Sequence, residues 1–447
     1  MNMGLALLAI IILILLGCNI SASFLSVSIA ITSLIGGTLT GFLNTAFSAA
    51  NSYSLLAVPL FSLGGLLMEK SGIADKLIDW CQRLLRRIKG GMGAVITVSS
   101  MAFGMLTGSA LATVNTIGNV MIPRLKKLGW DPRYTAALCS AAAPLGYMIP
   151  PNMNAIIFAT VSSASVSALF LASIVPGILW GVGYIIVNRC VYKKWTTNPN
   201  ASLEDLKKMP LPVENDVVLK EPPKDKSFWK LTVEAIPAFI MPIIIIGGIY
   251  GGLFSPTEAG AVSALYALLI GTLLYHKLNA SSLFQCFTAT GKTLGTILVI
   301  MPLASIFTRI MIMQDFPNQV MATLTNMTGS RVLLLLVLDF VFLLTGCFFE
   351  ANVLTLVLPP IMMPTMAALG VDPVQFGNIV FVAIGIGACT PPMASVLFMS
   401  AKIANVKIQD TVKPLIPFLL FVALPIMLLV TFVPELSLWL PRLVLGN

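Results

Sequence analysis

Two proline pairs stand inside apolar stretches of the sequence, and each is flanked by oxygen-bearing side chains. The first reads MIPPN (148–152) and the second CTPPM (389–393). A proline in a helix interior removes a backbone hydrogen bond and clashes with the preceding turn. In lipid, the freed backbone groups are tolerated only where protein or a water-filled cavity satisfies them. The broken backbone beside Asn152 and Thr390 therefore predicts a place that holds a cation or an anionic group.

Two further stretches are rich in glycine and in side-chain oxygens, LTGSALATVN (106–115) and LTGCFFEANVL (344–354). Their polar members include Ser109, Thr113, Asn115, Thr345, Glu350 and Asn352. Hydroxyl, amide and backbone oxygens of this kind are suitable sodium ligands in carriers. Glu350 is ionisable in an apolar setting, which indicates a functional role; the alternative is an exposed position on a hydrated loop.

The chain lacks the usual residues of catalysis. Its single histidine, His276, lies beside Lys277 at the edge of an apolar segment, and no HExxH, GxSxG or paired acidic motif occurs. The seven cysteines form no CxxC and are interpreted as small buried hydrophobes. We therefore expect neither an enzyme nor a cofactor.

Composition indicates an all-α integral membrane protein. Hydrophobic residues make up 57% of the chain and charged residues only 10%, whereas soluble proteins carry about 25% charged residues. Uncharged apolar runs recur throughout, as at 5–16, 239–250 and 418–432. The net charge of +9 is expected in loops, where it orients the chain and attracts anionic membrane lipids. It does not indicate a nucleic-acid partner.

An internal repeat divides the sequence into two homologous halves. PRLKKLGWDP (123–132) and PTMAALGVDP (364–373) agree at five of ten positions, with an offset of 241 residues. The same offset carries the first proline pair onto the second, and GMLTGS (104–109) matches FLLTGC (342–347) after a small shift. We predict a first repeat at 1–190, a polar cytoplasmic linker at 191–229 and a second repeat at 230–447.

The distribution of basic residues predicts a re-entrant hairpin in the first repeat. The segments 69–92 and 124–133 are both rich in Lys and Arg and should be cytoplasmic. The apolar stretch between them is far longer than one span, so it must enter and leave by the same face. Residues 134–170 would then cross outward as one helix interrupted at the proline pair, and 172–188 would return.

Counting the crossings predicts that the second repeat is inverted. Three spans at about 4–20, 24–43 and 51–68 precede the hairpin and two follow it, which gives five per repeat. Because five is odd, the second hairpin, at about 331–365, should enter from outside. Both termini are then expected on the periplasmic side. Inverted repeats with broken helices are typical of secondary carriers, whose site lies near the midplane. A channel is the alternative, but no polar rings trace a continuous pore.

At these residues the sequence resembles the large membrane subunit of the tripartite ATP-independent periplasmic (TRAP) transporters. The stretches that carry the resemblance are LLMEKSGIADKLIDW (66–80), GMLTGSA (104–110), GWDP with YMIPPN (129–132, 147–152), GGLFSPTEAGAVSALYALL (251–269), LGVDPVQFG (369–377), TPPMASVLF (390–398) and LSLWLP (436–441). They follow in order along nearly the whole chain.

The resemblance implies a sodium-driven, elevator-type importer of small organic acids, such as C4-dicarboxylates or sialic acids, in a bacterial or archaeal cytoplasmic (inner) membrane. It also implies two partners, a periplasmic substrate-binding protein and a small four-helix membrane subunit. Since no extra four-helix domain is visible in the sequence, we expect the small subunit to be a separate chain. The alternative is a stand-alone anion/sodium symporter or ion antiporter of related architecture.

The resemblance also assigns residues to the site. Ser109, Gly146, Thr345, Gly346 and Thr390 would bind sodium, and Asn152, Asn154, Thr113, Asn115, Glu350, Asn352 and Ser395 would contact substrate. The chain departs from the family's common pattern at Thr113, at Asn152 and at Glu350-Ala351, where Asp, Ser and an Asp-Pro pair are usual.

Several of these positions admit a purely structural interpretation. Gly104, Gly108 and Gly346 would permit close helix packing, and Asn152 and Asn154 would cap the second half-helix. Thr390 and Ser395 would bond back to their own helix. Residues 75–89 read as an amphipathic helix on the cytoplasmic face, with partner docking as its alternative use.

Overall fold

A computed structural model describes residues 3–35, 39–85, 91–162, 164–197, 228–327, 329–392 and 394–446. Every regular element that it assigns in these ranges is helical, and Trp130 and Thr196 form an isolated bridge. Seven of the described helices are long and apolar enough to cross a membrane. The predicted all-α membrane architecture is confirmed.

The helices of the first half are Met3–Leu15, Ile20–Ile35, Leu39–Ala50, Ala57–Lys70, Ile73–Leu85, Gly91–Thr107, Ala110–Lys127, Pro132–Ala142, Leu145–Met148, Met153–Val161 and Val166–Val191. Those of the second half are Phe228–Tyr250, Pro256–Leu269, Ala280–Met313, Phe316–Met327, Arg331–Phe348, Ala351–Ala368, Pro373–Cys389, Ser395–Ala404, Ile408–Phe418, Leu424–Phe432 and Glu435–Leu445. Single π-helical turns follow Leu269 and Phe418.

Four composite elements carry the repeat. The first hairpin joins Gly91–Thr107 to Ala110–Lys127, and the second joins Arg331–Phe348 to Ala351–Ala368. The first broken helix comprises Pro132–Ala142, Leu145–Met148 and Met153–Val161, and the second comprises Pro373–Cys389 and Ser395–Ala404. The bounds of the two returning arms, Ala110–Lys127 and Ala351–Ala368, differ by the same 241 residues at both ends.

The two repeats exchange their contacts reciprocally, as two inverted copies should. Met153–Val161, after the first break, packs on the returning arm of the second hairpin. Ser395–Ala404, after the second break, packs on the returning arm of the first hairpin. The two repeats are thereby confirmed, and their reciprocal contacts agree with an inverted arrangement. The boundaries 1–190, 191–229 and 230–447 stay a prediction, and residues 198–227 of the linker lie outside the described residues.

The LGxDP motif, which revealed the repeat, joins each hairpin to its broken helix. Gly129 and Gly370 have φ of +81° and +70°, the left-handed conformation that ends a helix and that glycine adopts without strain. Asp131 and Asp372 then cap the next helix through the amides of Arg133 and Val374, with proline at the first helical position. The motif is therefore a helix stop followed at once by a helix start.

Several predicted spans were wrong in their bounds. The first ends at Leu15, not at residue 20, because Gly17 has φ of +87° and the Asn19 side chain accepts from the Ser21 amide to start the next helix. That next helix is Ile20–Ile35, not 24–43, and residues 36–38 lie outside the described residues. The span predicted at 51–68 begins at Ala57, after a 3₁₀ turn.

The helix predicted at 134–170 was also wrong in its end, because it stops at Val161. Ser162 and Ser165 are both extended, and serine side chains compete with helical backbone bonding. The return helix is accordingly Val166–Val191 and not 172–188.

The amphipathic helix predicted at 75–89 is Ile73–Leu85, and residues 86–89 lie outside the described residues. Its apolar side, with Leu77, Ile78 and Cys81, is buried. It packs on Gly91–Thr107 and on Phe228–Tyr250. Its apolar face therefore covers protein, and it joins the first hairpin to the second half.

The helix Ala280–Met313, called here the scaffold helix, runs past the hairpins. It packs against Ile20–Ile35, Leu39–Ala50 and Ala57–Lys70, and also against the returning arm of the second hairpin. At 1.5 Å per residue its 34 residues extend for about 50 Å. It can thus border the hairpin tips at one level and other cavities at another.

Candidate substrate and ion site

The tips of the two hairpins are two-residue turns that cap their returning arms. In the first, Gly108 has φ of +59° and the Ser109 hydroxyl accepts from the Ala112 amide at 3.3 Å. In the second, the Glu350 carboxylate accepts from the Asn352 amide at 3.2 Å and from the Asn352 side-chain nitrogen at 2.9 Å. Ser109 and Glu350 are therefore equivalent helix caps in the two repeats.

This equivalence changes the alignment of the tips. The shared LTG letters pair Gly108 with Gly346, but Thr345 and Gly346 lie inside the helix Arg331–Phe348. The turn of the second hairpin is Phe349-Glu350, to which no LTG letter belongs. Thr345 and Gly346 thus lie before the tip and not in it.

Glycine pairs set how closely each hairpin crosses its broken helix. A Cβ atom on Gly104 would overlap the Cα atom of Gly146, and one on Gly387 would overlap the backbone of Gly346. A Cβ atom on Gly108 would lie 2.8 Å from the carbonyl oxygen of Pro151. Gly104 and Gly346 therefore allow the helices to pack closely, whereas Gly108 both packs closely and forms the turn.

Three predicted residues meet behind the first tip. The Thr113 hydroxyl donates to the Ser109 carbonyl oxygen at 2.7 Å. A Cβ atom on Gly146 would lie 3.2 Å from the Thr113 hydroxyl oxygen and 3.4 Å from that carbonyl oxygen. This group is compact and contains neutral oxygens only.

The predicted threonines of the second repeat each bond back to their own helix. The Thr345 hydroxyl donates to the Val341 and Phe342 carbonyl oxygens at 3.0 Å. The Thr390 hydroxyl donates to the Ile386 carbonyl oxygen at 2.8 Å. Both hydroxyl protons are thus used within their own helices, while the oxygen lone pairs stay able to accept or to bind a cation.

The two asparagines after the first proline pair have different roles. Asn152 is buried, and its side chain accepts from the Asn154 amide at 2.8 Å, which caps Met153–Val161. Asn154 is 1% exposed, and among the described residues its side-chain nitrogen has no hydrogen-bond partner. Asn154 therefore has a free donor, and Asn152 acts as a cap.

A cavity of about 450 Å³, called here the tip cavity, brings the two tips together. The scaffold helix and Ala57–Lys70 close its other side. Its polar lining residues are Ser62, Glu69, Thr107, Ser109, Asn154, Thr293, Thr296, Glu350 and Asn352. It unites Ser109, Asn154, Glu350 and Asn352 from the predicted set.

The remaining predicted residues lie elsewhere. Thr113 and Gly146 are behind the first tip, and Thr345, Gly346 and Thr390 are in the second repeat away from the lining. Ser395 is exposed in a separate groove that Lys402 also lines. Asn115 does not line the tip cavity, but it lies near the carboxylate of Glu69.

Sequence reasoning missed Glu69 and the threonines of the scaffold helix. Glu69 ends the apolar helix Ala57–Lys70, and the adjacent Lys70 made it look like part of a basic loop. An acid that closes an apolar run is the signal that was available. Thr293 and Thr296 had no signal, because threonine is common in membrane helices. With Glu350, Glu69 gives the tip cavity two carboxylates, and the described residues that line it include no Lys or Arg.

The family comparison matches almost the whole chain. The family model described as "Tripartite ATP-independent periplasmic transporter, DctM component" covers residues 7–436. The chain belongs to this family. It is thus a TRAP large membrane subunit, and its long apolar helices make it a multi-pass inner-membrane permease.

Two named relatives are similar over most of this permease. The C4-dicarboxylate TRAP transporter large permease protein DctM of Pseudomonas aeruginosa is 30% identical over 89% of the chain and 88% of its own length. The sialic acid TRAP transporter large permease protein SiaM of Vibrio cholerae is 29% identical over 96% of each.

One relative is considerably longer. The isethionate TRAP transporter permease protein DctMQ of Oleidesulfovibrio alaskensis is 31% identical over 88% of this permease, which spans 59% of that relative's length. Among solved structures, the YdaH transporter of Alcanivorax borkumensis superposes with a TM-score of 0.65 over 88% of this permease and 87% of that chain, at 16% identity. This likeness concerns the fold.

Proposed function

We propose that this permease imports a small organic acid by sodium-coupled secondary transport, with the tip cavity as its substrate site. The observation that carries the proposal is the meeting of both hairpin tips and the first broken helix at one cavity. Such midplane cavities between inverted repeats are where secondary carriers bind their substrates. The relatives named for isethionate, C4-dicarboxylate and sialic acid all take organic acids.

Sodium would bind behind the tips. In the first repeat, the Ser109 carbonyl, the Thr113 hydroxyl and the backbone at Gly146 supply neutral oxygens at short range. In the second, Thr345 is next to Gly346 in the chain, and Thr390 follows Gly387 by three residues, close to where these two glycines cross. An ion at either place would fix a tip against its broken helix, which would couple sodium binding to the shape of the tip cavity.

The motion would be of the elevator type. The hairpins and broken helices pack on one another, whereas the scaffold helix belongs to the surrounding helices. Sliding the first group along the scaffold helix would move the tip cavity between the two faces of the membrane. Both termini would lie on the periplasmic side, and the linker would lie in the cytoplasm.

Two partners belong to the proposal. A periplasmic substrate-binding protein would deliver the organic acid, and a small four-helix membrane subunit would be a separate chain. The longer DctMQ relative supports a small subunit that accompanies the large one.

The test is the thermal stability of the purified permease in NaCl, KCl and choline chloride at equal ionic strength. A ligand at a hundred times its Kd stabilises the folded state by about 2.7 kcal/mol, so we expect a sodium-specific rise in Tm. Thr390→Val should remove most of that rise. Thr323→Val is the matched control, because the Thr323 hydroxyl also bonds back to its own helix but lies outside the site.

Equal Tm values in the three salts would reject sodium coupling. A sodium effect that Thr390→Val leaves intact would remove Thr390 from the ion site. Uptake into proteoliposomes with and without a binding protein separates the alternatives, because saturable sodium-dependent uptake without one would favour a stand-alone symporter.

A further inference from the structure

A second cavity, called here the Arg309 cavity, lies farther along the scaffold helix and has a volume of about 670 Å³. The scaffold helix contributes Thr293, Thr296 and Ile300 to the tip cavity but Ser305, Thr308 and Arg309 to this one. Leu356, on the returning arm of the second hairpin, lines both. The two cavities therefore follow each other along one helix, about 18 Å apart from Thr296 to Thr308.

The lining of the Arg309 cavity is suited to an anion. Its polar residues are Asn44, Thr45, Ser48, Thr160, Ser305, Thr308 and Arg309, and no Asp or Glu is found among the described residues of its lining. The Arg309 guanidinium donates to the Thr45 hydroxyl oxygen at 2.7 Å. Among the described residues no carboxylate pairs with it, so most of its five donors stay available.

A buried hydroxyl points to the same conclusion. Thr308 is 6% exposed, and its hydroxyl oxygen has no hydrogen-bond partner among the described residues. Buried polar atoms are nearly always bonded, and an unpartnered one calls for an explanation such as an absent ligand. Thr308 lines the cavity next to Arg309, so a bound oxyanion would satisfy both residues.

The two cavities have opposite charge. Glu69 and Glu350 line the tip cavity, whereas Arg309 is the charged residue of the Arg309 cavity. Basic residues around Glu69 predict that this end is cytoplasmic, and the inverted second repeat then puts the Arg309 end outside. An anion that arrives from outside is therefore attracted first to the Arg309 cavity, and at the tip cavity it would bind together with the sodium ions proposed there.

We propose that the Arg309 cavity is an outer anion site, which holds the carboxylate of the organic acid before the hairpin tips receive it. This inference rests on the proposed function for the identity and direction of the substrate. The anion-binding property itself belongs to the cavity and can be tested without transport.

The test uses charged thiol reagents on Ser305→Cys. The background carries alanine at the exposed Cys18 and Cys190 and at the half-buried Cys347, and retains the four buried cysteines. The probes are 2-sulfonatoethyl methanethiosulfonate and 2-(trimethylammonium)ethyl methanethiosulfonate, and the readout is the ratio of their labelling rates. We expect the anionic reagent to be favoured, and Arg309→Gln to lower the ratio about tenfold, as for one charge at close range.

Two controls accompany that experiment. Arg309→Lys should keep the preference, because it keeps the charge. Lys292→Gln removes a positive charge from the same helix outside both linings and should leave the ratio unchanged. A ratio that Arg309→Gln does not alter would overturn the proposal.

A lipid phosphate offers the same chemistry as a substrate carboxylate, so the experiment is repeated in phosphatidylcholine nanodiscs with and without phosphatidylglycerol. A preference for the anionic reagent in both kinds of nanodisc supports the Arg309 cavity as a site for the substrate carboxylate. A preference that phosphatidylglycerol abolishes would assign Arg309 to lipid and overturn it. Equal Tm values in the three salts would reject sodium coupling without changing the labelling ratio. The proposed function and the anion site can therefore be rejected independently of each other.

Discussion

The two hairpin tips share one backbone plan but differ in charge. Ser109 and Glu350 occupy the same capping position, and each accepts a hydrogen bond from an amide of its returning arm. A cap requires only an acceptor close to the start of the helix. The repeat therefore preserved the geometry while the residue changed, so that one tip presents a neutral hydroxyl to the tip cavity and the other a carboxylate.

The same contrast appears where hydrogen bonds join each broken helix to a later helix of its repeat. In the first repeat the Tyr134 hydroxyl donates to the Asn188 side chain at 2.9 Å. At the equivalent position Gln375 donates to the Val430 and Thr431 carbonyl oxygens at 3.0 and 2.9 Å. Different side chains thus make the same kind of hydrogen bond between the broken helix and a later helix. The fold requires this bond but not a particular residue type.

The largest expected effect concerns the side of the membrane from which each hairpin is accessible, because a cysteine there should label from one side only. Lys126 and Ala367 occupy equivalent positions on the two returning arms, and both are exposed. In the background that lacks the reactive cysteines, Lys126→Cys should label with an impermeant maleimide only from the cytoplasmic side, and Ala367→Cys only from the periplasmic side. Labelling of both from one side would show that the repeats are parallel.

The next largest effect is expected at the glycine crossings. Gly387→Ala would force a methyl group into the backbone of Gly346, whereas at Gly146 the nearest atom would be 3.2 Å away. We expect a loss of about 3 kcal/mol for Gly387→Ala and about 1 kcal/mol for Gly146→Ala, because overpacking must be relieved by backbone shifts. Thermal unfolding measures both.

Gly295→Ala is the control for these crossings, since a Cβ atom there meets nothing within 4 Å. Alanine is favoured over glycine inside a helix, so Tm should stay the same or rise. Equal losses for Gly387→Ala and Gly146→Ala would contradict the difference in the space available beside these two glycines.

A smaller difference is expected at the polar ties. The Thr431 hydroxyl donates at 3.0 Å to Asp339, which is 4% exposed and whose other carboxylate oxygen has no partner among the described residues. Thr431→Val should cost about 2 kcal/mol, because it leaves a buried carboxyl group without a donor. Tyr134→Phe removes a neutral bond and should cost about 1 kcal/mol. The reverse order in thermal unfolding would contradict this account.

Much of the fold was predictable from local chemistry. The proline pairs and the LGxDP motif act through residues next to them in the chain, and so they marked the broken helices and the repeat correctly. The helix ends near Gly17 and Ser162 were missed, because no charged residue interrupts the chain at either place and the polar residues there are small and uncharged. There the capping residues outweigh the apolar pattern.

The site was less predictable because it is built from distant parts of the chain. Glu69, Thr293 and Glu350 meet only when the scaffold helix passes the tips, and no spacing in the sequence records this. The equivalence of Ser109 and Glu350 was hidden by the LTG letters, which recur three residues out of structural register. The shared letters LTG were therefore a poorer guide to the equivalence of Ser109 and Glu350 than their common position at the start of the returning arm.

The smallest effects on stability, and the most informative for function, are expected at the two caps. Ser109→Ala should cost about 1 kcal/mol, because the returning arm of the first hairpin loses its capping acceptor. Glu350→Gln should cost less, since the amide oxygen can still accept from Asn352. If the charge of the second tip serves transport, Glu350→Gln will alter the pH or ion dependence of uptake. Ser109→Ala keeps the Ser109 carbonyl oxygen that is proposed to bind sodium, so it will change stability without changing either profile. A wild-type uptake profile in Glu350→Gln would show that the carboxylate is only a cap, and the two tips would then be alike in function as well as in backbone.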